Sequence, residues 1–290
     1  MQAELRFFWS LLWCAVVSAH RNNFINLAKA VAYSSLLCFF PLLTSIAAIL
    51  VQVKADEISA LIARFVFEMV PPGTEDLVHN QFAVRGSRPV YLLVTAGLVS
   101  LWAASGAIGG LIQGFDTTYG VTKRRGFLKE TLLAIGLVLL SAVPFLGASG
   151  LMVFGRQIER ATIGRLLSSL GWHEAAWWSA AGLLARYLAA IGAVSVTAAM
   201  LYFAGPNRRQ RWRAVWPGAI LATSLWLIAT LGFAWYVRNL ANYNVVYGSV
   251  GTSIALLVWM YLLSAIALLG AEFNAQLERR RRGIQANAGL

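Results

Sequence analysis

The sequence predicts an all-α polytopic membrane protein with six transmembrane helices and short interfacial amphipathic helices. Of its 290 residues, 59% are hydrophobic and only 12% are charged, whereas soluble domains contain about 25% charged residues. Six apolar stretches are long enough to cross a hydrocarbon core about 30 Å thick. The basic residues behind the net charge of +12 are concentrated in the short segments between these stretches, as expected of loops that orient a membrane protein.

The first element predicted is an interfacial helix within residues 5–17, an apolar stretch too short to span a bilayer. It contains Trp9 and Trp13, and tryptophan side chains favour the headgroup region of a membrane. A second interfacial helix is predicted at residues 57–69, because apolar residues recur there every three to four positions opposite a charged face.

The six spans follow from the lengths and charge content of the apolar stretches. No Ser- or Pro-rich linker separates them, so residues 1–290 are predicted to form a single membrane domain that ends in a basic tail, 272–290. The predicted spans are approximately 30–53, 90–112, 128–154, 177–204, 215–237 and 249–271.

The distribution of basic residues predicts the orientation of the chain. With both termini on one side, that side holds 15 of the 24 lysines and arginines. Short, strongly basic links such as the one between spans four and five stay in the cytoplasm, so both termini are predicted to be cytoplasmic. Eight arginines are expected to face anionic lipid headgroups there. They are Arg208, Arg209, Arg211, Arg213, Arg279, Arg280, Arg281 and Arg282.

The second half of the chain carries a distinctive series of residues. Residues 201–209 read LYFAGPNRR, residues 216–219 read WPGA, and the pair Tyr247-Gly248 precedes Gly270-Ala271-Glu272. This series resembles the YihY/BrkB family of bacterial inner-membrane proteins, once labelled ribonuclease BN. The resemblance implies six spans and a place in the bacterial inner membrane and cell envelope, but no established molecular activity.

The former ribonuclease label can be examined against the residues. A metal-dependent, tRNA-processing ribonuclease needs several His and Asp ligands that converge on one or two metal ions. His20, His79 and His173 lie in three different segments without metal-ligand spacing. The sequence therefore predicts that the chain is not an enzyme and needs no cofactor or metal. Nucleic acid is not an expected partner either, because the arginines adjoin spans and lack interleaved aromatic residues.

Arg186 is a charged residue within the fourth predicted span. A guanidinium group at the centre of a span costs about 2.5–3.5 kcal/mol on insertion scales unless it faces protein or water. Two interpretations stay open. Arg186 contacts an anion in a cavity between helices, or it forms a structural salt bridge with Glu68 or Glu174.

Glu272 and Asn274 are candidate functional residues at the inner end of the sixth span. The helix is expected to continue through both and to end at Gly283. Glu272 then reaches the membrane boundary, where we expect it to pair with Arg208 or Arg209 as a structural clamp. A proton or cation site is the alternative.

Prolines and glycines within the spans indicate candidate kinks or hinges. Pro41 and Pro144 are predicted to kink spans one and three. Gly106, Gly109 and Gly110 either let span two pack closely against a neighbour or let it bend and break.

A polar outer hairpin joins the last two spans. Tyr243, Asn244 and Tyr247 are its candidate functional residues. Their amide and phenol groups form either a lip over a cavity or the partners of a tight turn.

Two classes of function follow. The favoured one is a transporter-like or lipid-handling protein with a cavity between kinked helices, which takes an anionic or lipid-like substrate. The alternative is a non-catalytic envelope scaffold or interaction protein. The first predicts a polar cavity containing Arg186, and the second a dry, filled bundle. Membrane lipids are the expected partners, and the sequence leaves the oligomeric state open, a homo-oligomer included.

Overall fold

The computed structural model describes residues 2–52, 90–123, 125–159, 176–239 and 248–287. Within these ranges every regular element is a helix. The helices are α1 (Gln2–Arg21), α2 (Phe24–Gln52), α3 (Val90–Thr118), α4 (Phe127–Glu159), α5 (Ala176–Ala204), α6 (Trp212–Asn239) and α7 (Gly248–Asn287).

Helices α2 to α7 are each long and apolar enough to cross a membrane. This confirms the predicted fold class of six spans. The first apolar segment begins at Phe24, earlier than predicted, because α2 starts directly after a turn at Asn23. The segments are Phe24–Ile46, Val94–Thr118, Phe127–Ala148, Ala180–Ala204, Trp212–Val237 and Ser253–Gly283.

The last helix is much longer than a membrane requires. α7 has 40 residues, which corresponds to about 60 Å at 1.5 Å per residue, roughly twice the hydrocarbon thickness. It continues through Glu272 and Asn274 as predicted, but it ends at Asn287 and not at Gly283. Its arginine-rich final turns therefore extend beyond the apolar part of the bundle.

The predicted N-terminal helix is present and packs against the end of α7. Leu11 and Ala15 of α1 are buried with Phe273 of α7, whereas Trp9 and Trp13 are exposed. The placement of α1 at the membrane interface stays a prediction. The other predicted interfacial helix, at residues 57–69, lies outside the described residues.

One of the three candidate hinge glycines of α3 lies in a close helix contact, and the helix is continuous through all three. α3 is continuous from Val90 to Thr118. A Cβ atom on Gly110 would lie 2.7 Å from Val31 Cγ2 of α2, and one on Gly106 would lie 3.7 Å from Ser34 Oγ. Gly109 faces open space. Of the two alternatives, close packing is therefore supported at Gly110, and α3 is not interrupted at the glycines. A bend at these positions stays a prediction.

The prolines also lie in continuous helices. α2 runs through Pro41 and α4 runs through Pro144. Bending at these two positions stays a prediction.

The largest apolar cluster lies where α2, α3, α5, α6 and α7 meet. At its centre the rings of Phe115 and Tyr202 pack edge to face, with centroids 5.3 Å apart. The hydroxyl of Tyr202 donates a hydrogen bond of 2.8 Å to the carbonyl oxygen of Ala267. Because α3 and α5 end just after these rings, the cluster fixes the positions of the loops that follow them.

Candidate functional site

Four chain segments meet at one end of the bundle, which we call the basic end. They are the α1–α2 turn, the link 119–126 between α3 and α4, the link 205–211 between α5 and α6, and the part of α7 from residue 272 onward. Side-chain hydrogen bonds, some to other side chains and some to backbone carbonyls, join all four segments. The basic end corresponds to the side that the sequence predicts to be cytoplasmic.

The end of α3 is built by a Schellman motif, the pattern in which a left-handed residue closes a helix. Gly120 has a φ of 64°, a conformation that glycine adopts without steric cost. The amide of Val121 bonds to the carbonyl of Asp116 at 2.8 Å, and the amide of Gly120 bonds to that of Thr117 at 3.1 Å. The motif fixes Tyr119 at the start of the α3–α4 link.

The end of α5 is closed by Arg125 from the neighbouring link. Its guanidinium group donates to the carbonyl oxygens of Gly205, Pro206 (3.1 Å) and Ala204 (3.5 Å). The last carbonyls of a helix have no partner within the helix, so this contact satisfies them. Gly205 has no room for a side chain, because a Cβ atom there would lie 2.8 Å from the ring of Phe115.

Asp116 and Asn207 tie the two links to each other. The backbone amide of Asn207 donates to Asp116 Oδ1 at 2.7 Å, and its side-chain amide donates to the carbonyl of Lys123 at 2.8 Å. An acidic residue in the last turn of a helix faces the negative end of the helix dipole. Asp116 is buried there because a donor from the facing loop compensates for it.

Arg208 forms an ion pair with Glu278 of α7. Its Nη2 atom lies 2.6 and 2.5 Å from the two carboxylate oxygens, and Arg282 Nη2 lies 2.6 Å from Oε1. The guanidinium carbon of Arg208 also lies 4.4 Å from the centre of the Tyr119 ring. Burial raises the pKa of Tyr119 to about 12, although the nearby Arg208 cation lowers it in part.

Glu272 is fully buried and has a different set of partners. It accepts hydrogen bonds from Gln276 Nε2 (2.8 Å), Asn22 Nδ2 (3.3 Å) and Arg279 Nη1 (3.5 Å). The predicted pairing with Arg208 is wrong, because Arg208 bonds to Glu278. Glu272 and Glu278 are six positions apart, so at about 100° per residue they lie on different faces of α7.

Asn274 lies in a contact between two helices rather than in a cavity. Its Oδ1 accepts the backbone amide of Gly218 at 2.6 Å, and its Nδ2 donates to the carbonyl of Val215 at 2.9 Å. Both bonds flank Pro217, which has no amide hydrogen of its own. A Cβ atom on Gly218 would collide with the carbonyl oxygen of Gly270. This contact therefore requires glycine in α6 and an amide side chain in α7.

Two clefts open beside the Arg208–Glu278 pair. The first cleft has a volume of about 350 Å³, and its lining includes five arginines and one carboxylate. The other cleft, of about 560 Å³, runs along the α3–α4 link. Arg208, Arg209 and Arg282 line both clefts. The first cleft is lined by Arg208, Arg209, Gln210, Arg211, Ala214, Glu278, Arg281 and Arg282.

The eight arginines predicted to face lipid divide into two groups. Four of them contact protein: besides the pairs of Arg208 and Arg282, Arg279 donates to the carbonyl of Thr118 at 2.5 Å and Arg280 donates to Ser10 Oγ at 2.9 Å. Arg208 is partly buried and its charge is paired with Glu278, so contact of this residue with lipid stays a prediction. The other four, Arg209, Arg211, Arg213 and Arg281, are exposed, as are Arg279 and Arg282 of the first group.

Arg186 lies far from the basic end. It is 18 residues before the end of α5, or about 27 Å along the helix. Its side chain is only 7% exposed, and a Cβ atom on Gly155 of α4 would lie 2.6 Å from its Cδ. The expected partners Glu68 and Glu174 lie outside the described residues.

The polar hairpin also lies outside the described residues, with Tyr243, Asn244 and Tyr247. The same is true of His79 and His173, while His20 is exposed. Among the residues that the structure describes, no three His, Cys, Asp or Glu side chains form a group able to hold a metal ion.

Sequence reasoning missed four residues that build the basic end: Asp116, Tyr119, Arg125 and Glu278. Two of them carry a signal in the sequence. Glu278 precedes Arg282 by four residues, the spacing of an ion pair on a helix, and Asp116 is an acid at the unfavourable end of a helix. Arg125 and Tyr119 carry none, because their partners come from links distant in sequence.

Comparison with known proteins finds relatives of nearly the whole chain. The family model described as Virulence factor BrkB matches residues 15–289. The ribonuclease-like protein YfkH of Bacillus subtilis is 29% identical over 87% of this chain and 89% of its own length. A UPF0761 membrane protein of Tolumonas auensis is 27% identical over 96% of this chain and 87% of its own length. No solved structure matches the chain.

Proposed function

The chain is a membrane protein of the virulence factor BrkB family, and from this premise we propose that it binds and handles anionic lipid-like molecules in the bacterial inner membrane without being an enzyme. One observation carries the proposal. The cleft of about 350 Å³ at the basic end collects five arginines around one carboxylate. Each basic residue near a membrane surface attracts anionic lipid by about 1 kcal/mol.

The surroundings of the cleft support a location at headgroup depth. Trp212 stands between Arg211 and Arg213 at the start of α6, is 39% exposed, and packs edge to face on Phe203. Exposed tryptophan next to arginine is typical of the boundary between the apolar core and water. A lipid headgroup would therefore meet the arginines while its acyl chains stay beside the apolar helices.

The orientation of the chain determines which leaflet of the membrane contacts the cleft. Since 15 of the 24 basic residues lie on the side of the basic end, we propose that this end and both termini face the cytoplasm. The lipids in contact with the cleft would then be those of the cytoplasmic leaflet.

A scaffold role is the second candidate, and the packing beneath the cleft favours it. Arg125, Glu272 and Asn274 all form hydrogen bonds within the protein, so their polar groups hold helices and links together. A protein of this kind would bind lipid at its rim without moving it. A ribonuclease role, suggested by the name of the Bacillus subtilis relative, has no comparable observation in its favour among the described residues.

The proposal is tested by lipid-dependent stability of the full chain in detergent. Titration with phosphatidylglycerol should raise its unfolding temperature more than titration with phosphatidylcholine. Replacing Arg209, Arg211 and Arg281 together by Gln should remove most of this difference.

The matched control replaces Arg6, Arg21 and Lys129 by Gln, which removes the same charge from three exposed residues that line none of the clefts described. The control should keep the preference for phosphatidylglycerol. Equal responses of the two triple variants would contradict a specific cleft. Transfer of a labelled anionic lipid between the leaflets of reconstituted vesicles then separates lipid handling from a scaffold that only binds.

A further inference from the structure

Among the residues that the structure describes, Glu278 is the only acidic one in the lining of the 350 Å³ cleft. It also lines a smaller cleft of about 100 Å³, together with Tyr119 and Arg279. A carboxylate in the middle of an arginine cluster opposes the binding of any external anion, unless it moves away when the anion arrives.

The carboxylate of Glu278 occupies the position that an external anion would take. Arg208 donates to both of its oxygens, and Arg282 donates to one of them. Two guanidinium groups that converge on a pair of oxygens form the arrangement by which arginine recognises either a carboxylate or a phosphate. Glu278 therefore stands where a phosphate group would fit.

The side chains of Arg208, Arg282 and Glu278 differ in how firmly the surrounding protein holds them. Arg208 lies over the ring of Tyr119 and is 23% exposed, whereas the side chain of Arg282 is 70% exposed. Glu278 is part of the extension of α7 beyond the apolar core, and its side chain reaches solvent. Rotation of the Glu278 side chain would therefore free the arginines while Arg208 keeps its place.

We propose that a phosphate monoester group binds between Arg208 and Arg282 by displacing Glu278, which acts as an internal competitor. A phosphate diester carries one negative charge, as Glu278 does, so the exchange brings no gain in charge. A monoester carries about −1.5 to −2 charges and three acceptor oxygens near pH 7, so it displaces Glu278 more favourably. This inference rests on the proposed function and names its ligand class.

The test compares Glu278→Gln with Glu130→Gln in the full chain. Glu130 bonds to Gln113 at the same end of the bundle and lines none of the clefts described, so its variant makes the same change in charge. The probes are inorganic phosphate with protein in detergent, and lipid nanodiscs containing phosphatidic acid or phosphatidylglycerol.

Glu278→Gln should tighten the binding of phosphate or phosphatidic acid about tenfold, because a competing charged hydrogen-bond acceptor is lost. Glu130→Gln should leave it unchanged. Tightening for free phosphate as well as phosphatidic acid identifies the phosphate group itself as the ligand, and tightening for phosphatidic acid alone identifies a lipid-borne group. Unchanged or weaker binding of both probes by folded Glu278→Gln would overturn the inference.

A second variant keeps the test decisive if Glu278→Gln does not fold. Glu278→Asp keeps the charge but shortens the side chain, so it should also tighten binding relative to the native chain. If the native chain does not prefer anionic to zwitterionic lipid, the proposed function fails and this inference fails with it. If that preference exists but neither variant tightens binding, only the role of Glu278 is wrong.

Discussion

The link between α5 and α6 contains two regions whose arginines differ in surroundings although they are adjacent in sequence. In residues 205–208, Gly205 and Pro206 are buried and Arg208 is paired with Glu278. In residues 209–211, Arg209 and Arg211 are exposed at the 350 Å³ cleft. Arg208 therefore has a partner within the protein that an external anion must displace, whereas Arg209 and Arg211 are available to a ligand directly.

The difference has a physical cause. In the packed region each polar group meets a specific partner in surroundings with little water, where loss of one partner leaves the other without compensation. In the open region the charges are solvated, so their mutual repulsion is screened and their removal costs little stability. We expect substitutions in the packed region to lower stability, and those in the open region to change binding with little effect on stability.

The largest effect is expected beneath the packed region, for Gly218→Ala in α6. The added Cβ would collide with the backbone of Gly270 and lie 2.5 Å from Asn274 Nδ2, so α6 and α7 must separate. We expect a loss of about 3 kcal/mol, at the upper end of the range for overpacked sites, measured by thermal unfolding in detergent. Gly232→Ala is the control, because Gly232 lies in the same helix and has no atom within 4 Å of its added Cβ. Equal unfolding temperatures would show that the contact is not tight.

A smaller effect is expected for Arg208→Met. Glu278 then keeps only Arg282, and the loss of a charged hydrogen bond between partly buried groups should cost about 1.5–3 kcal/mol. Combining it with Glu278→Gln should recover part of the loss, since the two effects are coupled. Arg209→Met, one residue further along the link, should change stability by less than about 0.5 kcal/mol. Additive losses in the double variant would show that the pair is not coupled.

A third prediction concerns stability at alkaline pH. The pKa of Tyr119 is raised to about 12 in the folded protein, above the usual value of about 10. Its contribution to stability is therefore complete below pH 10 and is lost as the pH rises from about 10 to 12. We expect Tyr119→Phe to lose about 1–2 kcal/mol less stability than the native chain over this interval, after allowance for solvent screening. Parallel stability–pH curves would contradict this.

The smallest effect on stability is expected in the open region. Arg209→Gln combined with Arg211→Gln should leave the unfolding temperature nearly unchanged, within about 0.5 kcal/mol. The same variant should show weaker binding to anionic vesicles and a smaller loss of binding when salt is raised from about 0.05 to 0.5 M. A large drop in stability would mean that the two regions do not differ as described.

The sequence accounts for most of the fold but for less of the site. Long apolar stretches predict six spans because burial in lipid depends on length and hydropathy alone. The sequence also places Glu272 and Asn274 at the end of a span. It does not identify their partners, since Asn274 bonds to the backbone of α6 and Glu272 bonds to the α1–α2 turn. The sequence left packing and bending open at the glycines of α3, because a glycine that admits a neighbouring helix and one that weakens a helix look the same in sequence.

By itself, then, the sequence determined the helical class and the number of spans. It also determined that arginines are concentrated in the links that the charge asymmetry predicts to be cytoplasmic. These properties depend on composition and spacing along one chain. Only the tertiary structure decided which arginines bind protein and which stay exposed. That choice depends on Glu278, Tyr119 and the carbonyl groups at the end of α5, which approach the arginines only after the helices have packed. The energy of a charge depends on its nearest partners and on the water around it, and both are properties of the packed bundle.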